Sequence, residues 1–136
     1  MAIRKLILRT ALFLPVVIVA VPDMAASQPR DVLRDGAVVR GTLRVVKTKH
    51  PNGTPIRALQ LVSAGSYFLN DDEFCEKDVA LKKFHIVAKD RDTTKRLERS
   101  LGKMLSIKGR QFYCAHTAWH IGDAVAADAE IVEEAR

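Results

Sequence analysis

The chain has 136 residues, is 48% apolar and 28% charged, and carries a formal charge of +6 at pH 7. That length holds one domain with a single modest core, and the apolar fraction excludes an intrinsically disordered chain. The charge favours solubility and loose attraction to anionic surfaces but does not by itself specify nucleic acid.

The first 27 residues read as a secretory leader. Arg4, Lys5 and Arg9 precede an apolar run from Ala11 to Val21, and small residues follow at Ala25, Ala26 and Ser27. Basic, apolar, small is the order that export requires, and it places cleavage after Ser27, with Ala26 as the alternative. A membrane anchor is the rival reading. It needs about 20 apolar residues, whereas this run is shorter, contains Pro15 and is followed by Asp23. Without the leader, residues 28–136 carry 19 Lys+Arg and 15 Asp+Glu, so the exported domain is only +4. The expected location is periplasmic or secreted, with no stable membrane span after cleavage. In that setting Cys75 and Cys114 read as a disulfide, because an even pair with no CxxC spacing fits a crosslink better than a metal site or reactive thiol.

Residues 28–35 form a polar lead-in or a turn of helix. Ala37 to Thr48 then alternates, with Val39, Gly41, Leu43 and Val45 on one side and Arg40, Thr42 and Arg44 on the other, as in a half-buried strand. Asn52-Gly53 supplies a tight hairpin turn. A second strand follows from Ile56 to Ser63, with Leu59 and Leu61 inward and Arg57 and Gln60 outward. The acidic run Asp71-Asp72-Glu73 reads as a solvated loop. A third strand is predicted from Lys82 to Lys89, and a helix from about Asp92 to Leu101, capped by Asp92 or Thr93 and ended by Gly102. In that helix Leu97 and Leu101 share a face. A fourth strand, Lys103 to Tyr113, carries Gly109 at a bulge or bend, and a fifth spans Asp123 to Glu133, with Val125, Ala127, Ala129 and Ile131 on one side. Five strands with one helix between the third and fourth is the order of an OB-like barrel. A small antiparallel β-sandwich is the alternative. The mid-strand Gly41 and Gly109 favour the barrel, whose coiled strands need small residues at corners.

Leu101, Gly102, Lys103, Leu105, Ile107, Gly109, His116, Thr117 and His120 resemble the C-terminal half of an exported bacterial domain family with no assigned function. The segment Ala37 to Leu61 resembles its opening strands more loosely. The match departs at the histidine loop, where some relatives carry adjacent histidines and this chain has His116-Thr117-Ala118-Trp119-His120. The resemblance implies export and an OB-like or similar small barrel, and no activity.

That loop holds the most suggestive side chains. Two histidines four apart can bind one metal from a helix face, whereas on a strand they lie roughly 13 Å apart. His50, His85 or Asp123 would supply a third ligand, and no HExxH motif is present. The competing reading is structural, with imidazoles bonding loop backbone and Trp119 lidding the barrel, and a pH-responsive surface is a further one. No catalytic residue is nominated: Ser63, Ser66 and Ser100 lack a nucleophile motif. Residues 82–110 carry a local +7, which makes Lys95, Arg96 and Arg99 on the helix binding candidates beside His116, Trp119 and His120. Residues 123–136 carry a local −4. The expected function is a non-catalytic binding module of the bacterial envelope, taking a protein or an anionic glycan. The alternative is a metal-binding protein using His116 and His120. Nucleic acid is disfavoured by export, although Phe112 and Tyr113 stand near the basic stretch.

Overall fold

In the computed structural model the described residues are 31–70 and 72–134. The leader assigned to residues 1–27 lies outside them, as does Asp71 of the acidic run. The elements are β1 (Asp31–Val32), β2 (Val38–Lys49), β3 (Pro55–Phe68), β4 (Leu81–Ala88), α1 (Arg91–Arg99), β5 (Met104–Lys108), β6 (Gln111–Cys114) and β7 (Ala124–Glu134).

Five strands close a barrel. β2 pairs antiparallel with β3 and β5, β3 with β4, β4 runs parallel to β7, and β7 returns antiparallel to β5. This is the OB-like ring with its helix between the third and fourth ring strands, and it sets aside the sandwich. β1 and β6 lie outside the ring, on β3 and β7. Among the described residues no helix is long and apolar enough to cross a membrane.

The alternating pattern translates directly into the interior. Val39 and Leu43 of β2, Leu61 of β3, Phe84 and Ile86 of β4, and Leu105 and Ile107 of β5 are buried in one core with Leu97 of the helix. Val45, Ala88 and Tyr67 pack against it. Gly41 is needed for a close approach. A Cβ there would sit 2.3 Å from the Val62 carbonyl oxygen, inside the β2–β3 pairing.

Several boundaries move, each for a physical reason. Within the stretch expected to be a polar lead-in or a turn of helix, residues 31–32 form a short parallel strand on Tyr67 and Phe68. The second strand runs on to Phe68, and its last two residues, Tyr67 and Phe68, gain β1 as a partner. The helix is capped by Asp90, whose Oδ1 accepts from Thr93 N at 2.7 Å, ahead of both expected caps, Asp92 and Thr93. It ends at Arg99, with Ser100 as C-cap, so Leu101 leaves the helical face and is 38% exposed. The fourth strand breaks at Gly109 and Arg110 into β5 and β6, both antiparallel to β7.

The last strand changes parity. Ile86 pairs with Ala126, yet Ala88 pairs with Ala129, so β7 holds one extra residue, and Asp128 there has φ 48°. Before this bulge Ala124 and Ala126 face the core; after it Ala129 and Ile131 do. Strict alternation puts Val125 and Ala127 on the core side, and the bulge reverses that half.

Candidate functional site

The site grows from one row of cross-strand neighbours. Arg44 pairs with Gln60, Gln60 with His85, His85 with Val125, and Val125 with Tyr113. Their inward neighbours Leu43, Leu61, Phe84, Ala124 and Cys114 are core residues. By the pleat this row therefore points away from the barrel interior. It is nonetheless covered: Gln60 is 3% exposed and Val125 fully buried. Gln60, expected outward in solvent, faces outward beneath another part of the chain.

The cover is the loop 115–122. Its base is closed by Ala115 N donating to Asp123 O at 3.0 Å, and Asp123 Oδ2 accepts from the Lys82 and Lys83 amides at 2.9 Å each. Its far arm is held by Ile121. Gln60 Nε2 donates to Ile121 O at 2.8 Å, and Ile121 N donates to His85 Nδ1 at 3.1 Å. Arg44 fixes the amide orientation of Gln60, since Nε and Nη2 both donate to its Oε1. Inside the loop His116 N donates to His120 Nδ1 at 3.3 Å, and His116 Nδ1 lies 3.0 Å from Cys114 O.

All four histidines of the chain meet here. The rings of His116 and His120 are 4.7 Å apart, Tyr113 lies 5.7 Å from His116 and 5.5 Å from His120, and Phe74 stacks on His116 at 4.1 Å. Trp119 stacks on His50 of the β2–β3 hairpin at 4.1 Å. Phe74 and Trp119 stay about half exposed, at 52% and 47%. The result is a platform of planar groups, with His50 and Trp119 bridging two loops far apart in sequence. Trp119 thus packs on the hairpin through the His50 ring. Sequence reasoning missed the part played by Gln60, Tyr113 and Phe74. The signal that could have found Gln60 is an uncharged polar residue between buried Leu59 and Leu61.

Burial pushes the imidazoles of His85 and His120 below their ordinary value, and each is lowered further by its histidine neighbour, His120 and His116 respectively. The hydrogen bonds fix the tautomers. A backbone N–H can only donate, so Nδ1 of His85 and of His120 carries a lone pair. A carbonyl can only accept, so Nδ1 of His116 carries its proton. His116 and His120 therefore converge, but His120 is arranged with its proton on Nε2. Metal binding through that atom requires breaking the bond from His116 N. Asp123, considered above as a further ligand, is committed to two amides. Among the described residues, the trio of potential ligands close enough to share one ion is Asp72, Cys75 and Cys114, and its two sulfurs are bonded to each other.

That disulfide joins Cys75 to Cys114 with Cα atoms 5.3 Å apart, as the sequence implies. The acidic loop is less solvated than expected, because Asp72 Oδ1 accepts from Phe74 N at 3.0 Å and its Oδ2 from Cys114 N.

The helix cations sit elsewhere. Arg96 and Arg99 line a shallow cleft with Ser100, Lys103 and Glu134, and Lys95 is exposed. The acids of β7 face three of the ten local cations: Lys89 bonds Glu130, Arg96 lies 4.0 Å from Glu134, and Arg110 lies 3.8 Å from Asp128. The charge asymmetry of the sequence is thus folded back on itself. Comparison with protein-family models, curated proteins and solved structures finds no match to this chain.

Proposed function

We propose that this chain is an exported, non-catalytic binding module of the bacterial envelope that takes an anionic oligosaccharide on the platform formed by the β2–β3 hairpin and the loop 115–122. The observation that carries the reading is the His50–Trp119 stack, which joins those two loops and leaves the tryptophan face half exposed. In barrels of this kind the loop after the first ring strand and the loop before the last frame the ligand face. Flat aromatic surfaces hold the apolar faces of sugar rings without demanding one sequence of hydrogen bonds. Arg44 and Lys49, exposed on the same hairpin, supply positive charge for an acidic group.

Export is supported by the leader pattern and by the disulfide, which persists in oxidising compartments. Titration of Trp119 fluorescence with uronic-acid oligosaccharides tests the reading. It expects a saturable change that weakens with salt. No response to acidic sugars, together with capture of an envelope protein through the same face, would replace the glycan with a protein partner.

A further inference from the structure

The loop 115–122 is held down by acceptors that a proton can remove. Both backbone groups of Ile121 are bonded to side chains of two adjacent strands, its carbonyl to Gln60 and its N–H to His85 Nδ1. The turn within the loop is closed the same way, by His120 Nδ1 accepting from His116 N. Protonating either Nδ1 turns an acceptor into a donor that faces another N–H. The bond is then lost, and a positive charge is left half buried.

The surroundings offer little to offset that charge. His120 is the electrostatic neighbour of His85, and His116 that of His120, so the charges would be alike. From β6 comes the Tyr113 phenol, and from the hairpin His50, stacked on Trp119. β2 presents Arg44, a cation bound to Gln60. β4 presents Lys82 and Lys83, whose amides occupy Asp123. The segment that stacks Phe74 on His116 brings Asp72, already bonded to two amides, and Glu73.

We infer that residues 115–122 form an acid-released strap: docked on the barrel while His85 and His120 are neutral, and lifted when they take protons, which dismantles the Trp119 platform. The strap would regulate the site proposed above. Its motion, however, is measurable without any ligand, so the two can fail separately. Release falls below the ordinary imidazole value of about 6.5, because burial and neighbouring histidines resist protonation.

Amide hydrogen exchange followed by NMR on the purified protein at pH 7.5 and 5.0 tests it, read as protection factors so that the intrinsic pH dependence cancels. The expected result is about a tenfold or greater loss of protection at Ile121 and His116, with Leu43 and Leu61 in the barrel unchanged, as local opening requires. His85→Asn places an oxygen acceptor near the Nδ1 position without a titrating group and is expected to keep Ile121 protected at pH 5.0. Equal protection at both pH values overturns the strap. So does loss of barrel protection along with it, or an identical loss in the variant. If the variant does not fold, imidazole titrations of the wild type decide: the loss at Ile121 must track His85 and the loss at His116 must track His120, and midpoints belonging to neither ring overturn the proposal.

Discussion

Asp72 Oδ2 accepts a hydrogen bond from the backbone N–H of Cys114 at 2.6 Å, and Cys75 in the same loop is joined by its sulfur to that same Cys114. The loop after β3 is therefore tied twice to β6, which lies outside the ring and, among the described residues, pairs with β7 alone. Cys75→Ala with Cys114→Ala reopens a crosslink spanning 39 residues, which costs about 3–4 kcal/mol. Asp72→Ala leaves the Cys114 amide without its partner and costs about 1–3 kcal/mol. The two effects share one residue and are expected not to add. Urea unfolding of the single, double and triple variants measures both, and strict additivity would mean that the two ties act independently.

Gly41 tests the closure of the barrel. An added Cβ meets the Val62 carbonyl oxygen at 2.3 Å and its carbon at 2.7 Å, both backbone atoms held by the β2–β3 ladder. Gly41→Ala must push two paired strands apart, with an expected loss above about 3 kcal/mol. Gly65, on the same β3 strand, has open space around its Cβ position. Gly65→Ala is expected to be neutral or to stabilise by up to about 1 kcal/mol. Similar melting temperatures for the two variants would contradict the close approach at Gly41.

Binding should separate two surfaces that the sequence treats alike. Trp119→Ala is expected to weaken acidic-oligosaccharide binding by about thirtyfold, as loss of an aromatic anchor does, and to leave the melting temperature nearly unchanged because the ring is 47% exposed. Charge reversal of Lys95, Arg96 and Arg99 acts from a separate cleft, where Arg96 already faces Glu134. It is expected to lower affinity only a few-fold at low salt, and not at all at high salt. Calorimetric titration of both variants at two ionic strengths makes the comparison. The larger loss in the helix variant would move the site to the helix.

Processing gives a direct check on export. Mass spectrometry of the protein from its natural source is expected to find a chain that starts at Gln28 and is two hydrogens lighter than the reduced mass. Residues 1–27 still attached, or two free thiols, would withdraw the exported module.

Much of the barrel is legible in the sequence because its signals are local. Alternation at Val39, Leu43, Leu59 and Leu61, the Asn52-Gly53 turn and the break at Gly109 each act within a few residues. The disulfide is legible from the cysteine count. The bulge at Asp128 is not, since a polar residue in an alternating strand looks the same whether it points outward or takes the extra place. The site is legible only in part. The spacing of His116 and His120 marks the loop, but their convergence with His85 and His50 depends on the pairing of β3 with β4 and on where the loop folds back. Gln60 is read as outward from strand parity, and parity cannot tell an outward residue in water from one under a strap. The local +7 and −4 segments are separate stretches in sequence. In the fold, β7 runs beside three of those cations, Lys89, Arg96 and Arg110, and sets an acid against each.

The same histidines make stability depend on pH in a defined direction. The folded values of His85 and His120 lie below the ordinary imidazole value, mainly through burial. Between the folded values and about 6.5 the unfolded chain binds more protons than the folded one, so stability rises with pH. The contribution is fully present above about 6.5 and is lost as pH falls through the folded values. A second, shallower loss belongs to Asp90, Glu98 and Glu130, whose carboxyls are lowered chiefly by hydrogen bonds from Thr93, Arg57 and Lys89. It sets in only below the ordinary carboxylate range, and it is small because these groups are exposed to solvent. Melting temperature at constant salt is therefore expected to be level from pH 8 to 7, to fall between pH 6.5 and 5, and to fall again below pH 4. In His85→Asn with His120→Asn the first fall disappears while the second remains, because no carboxylate among those three is bonded to either ring. A first fall that persists in the double variant would assign it to groups other than these imidazoles.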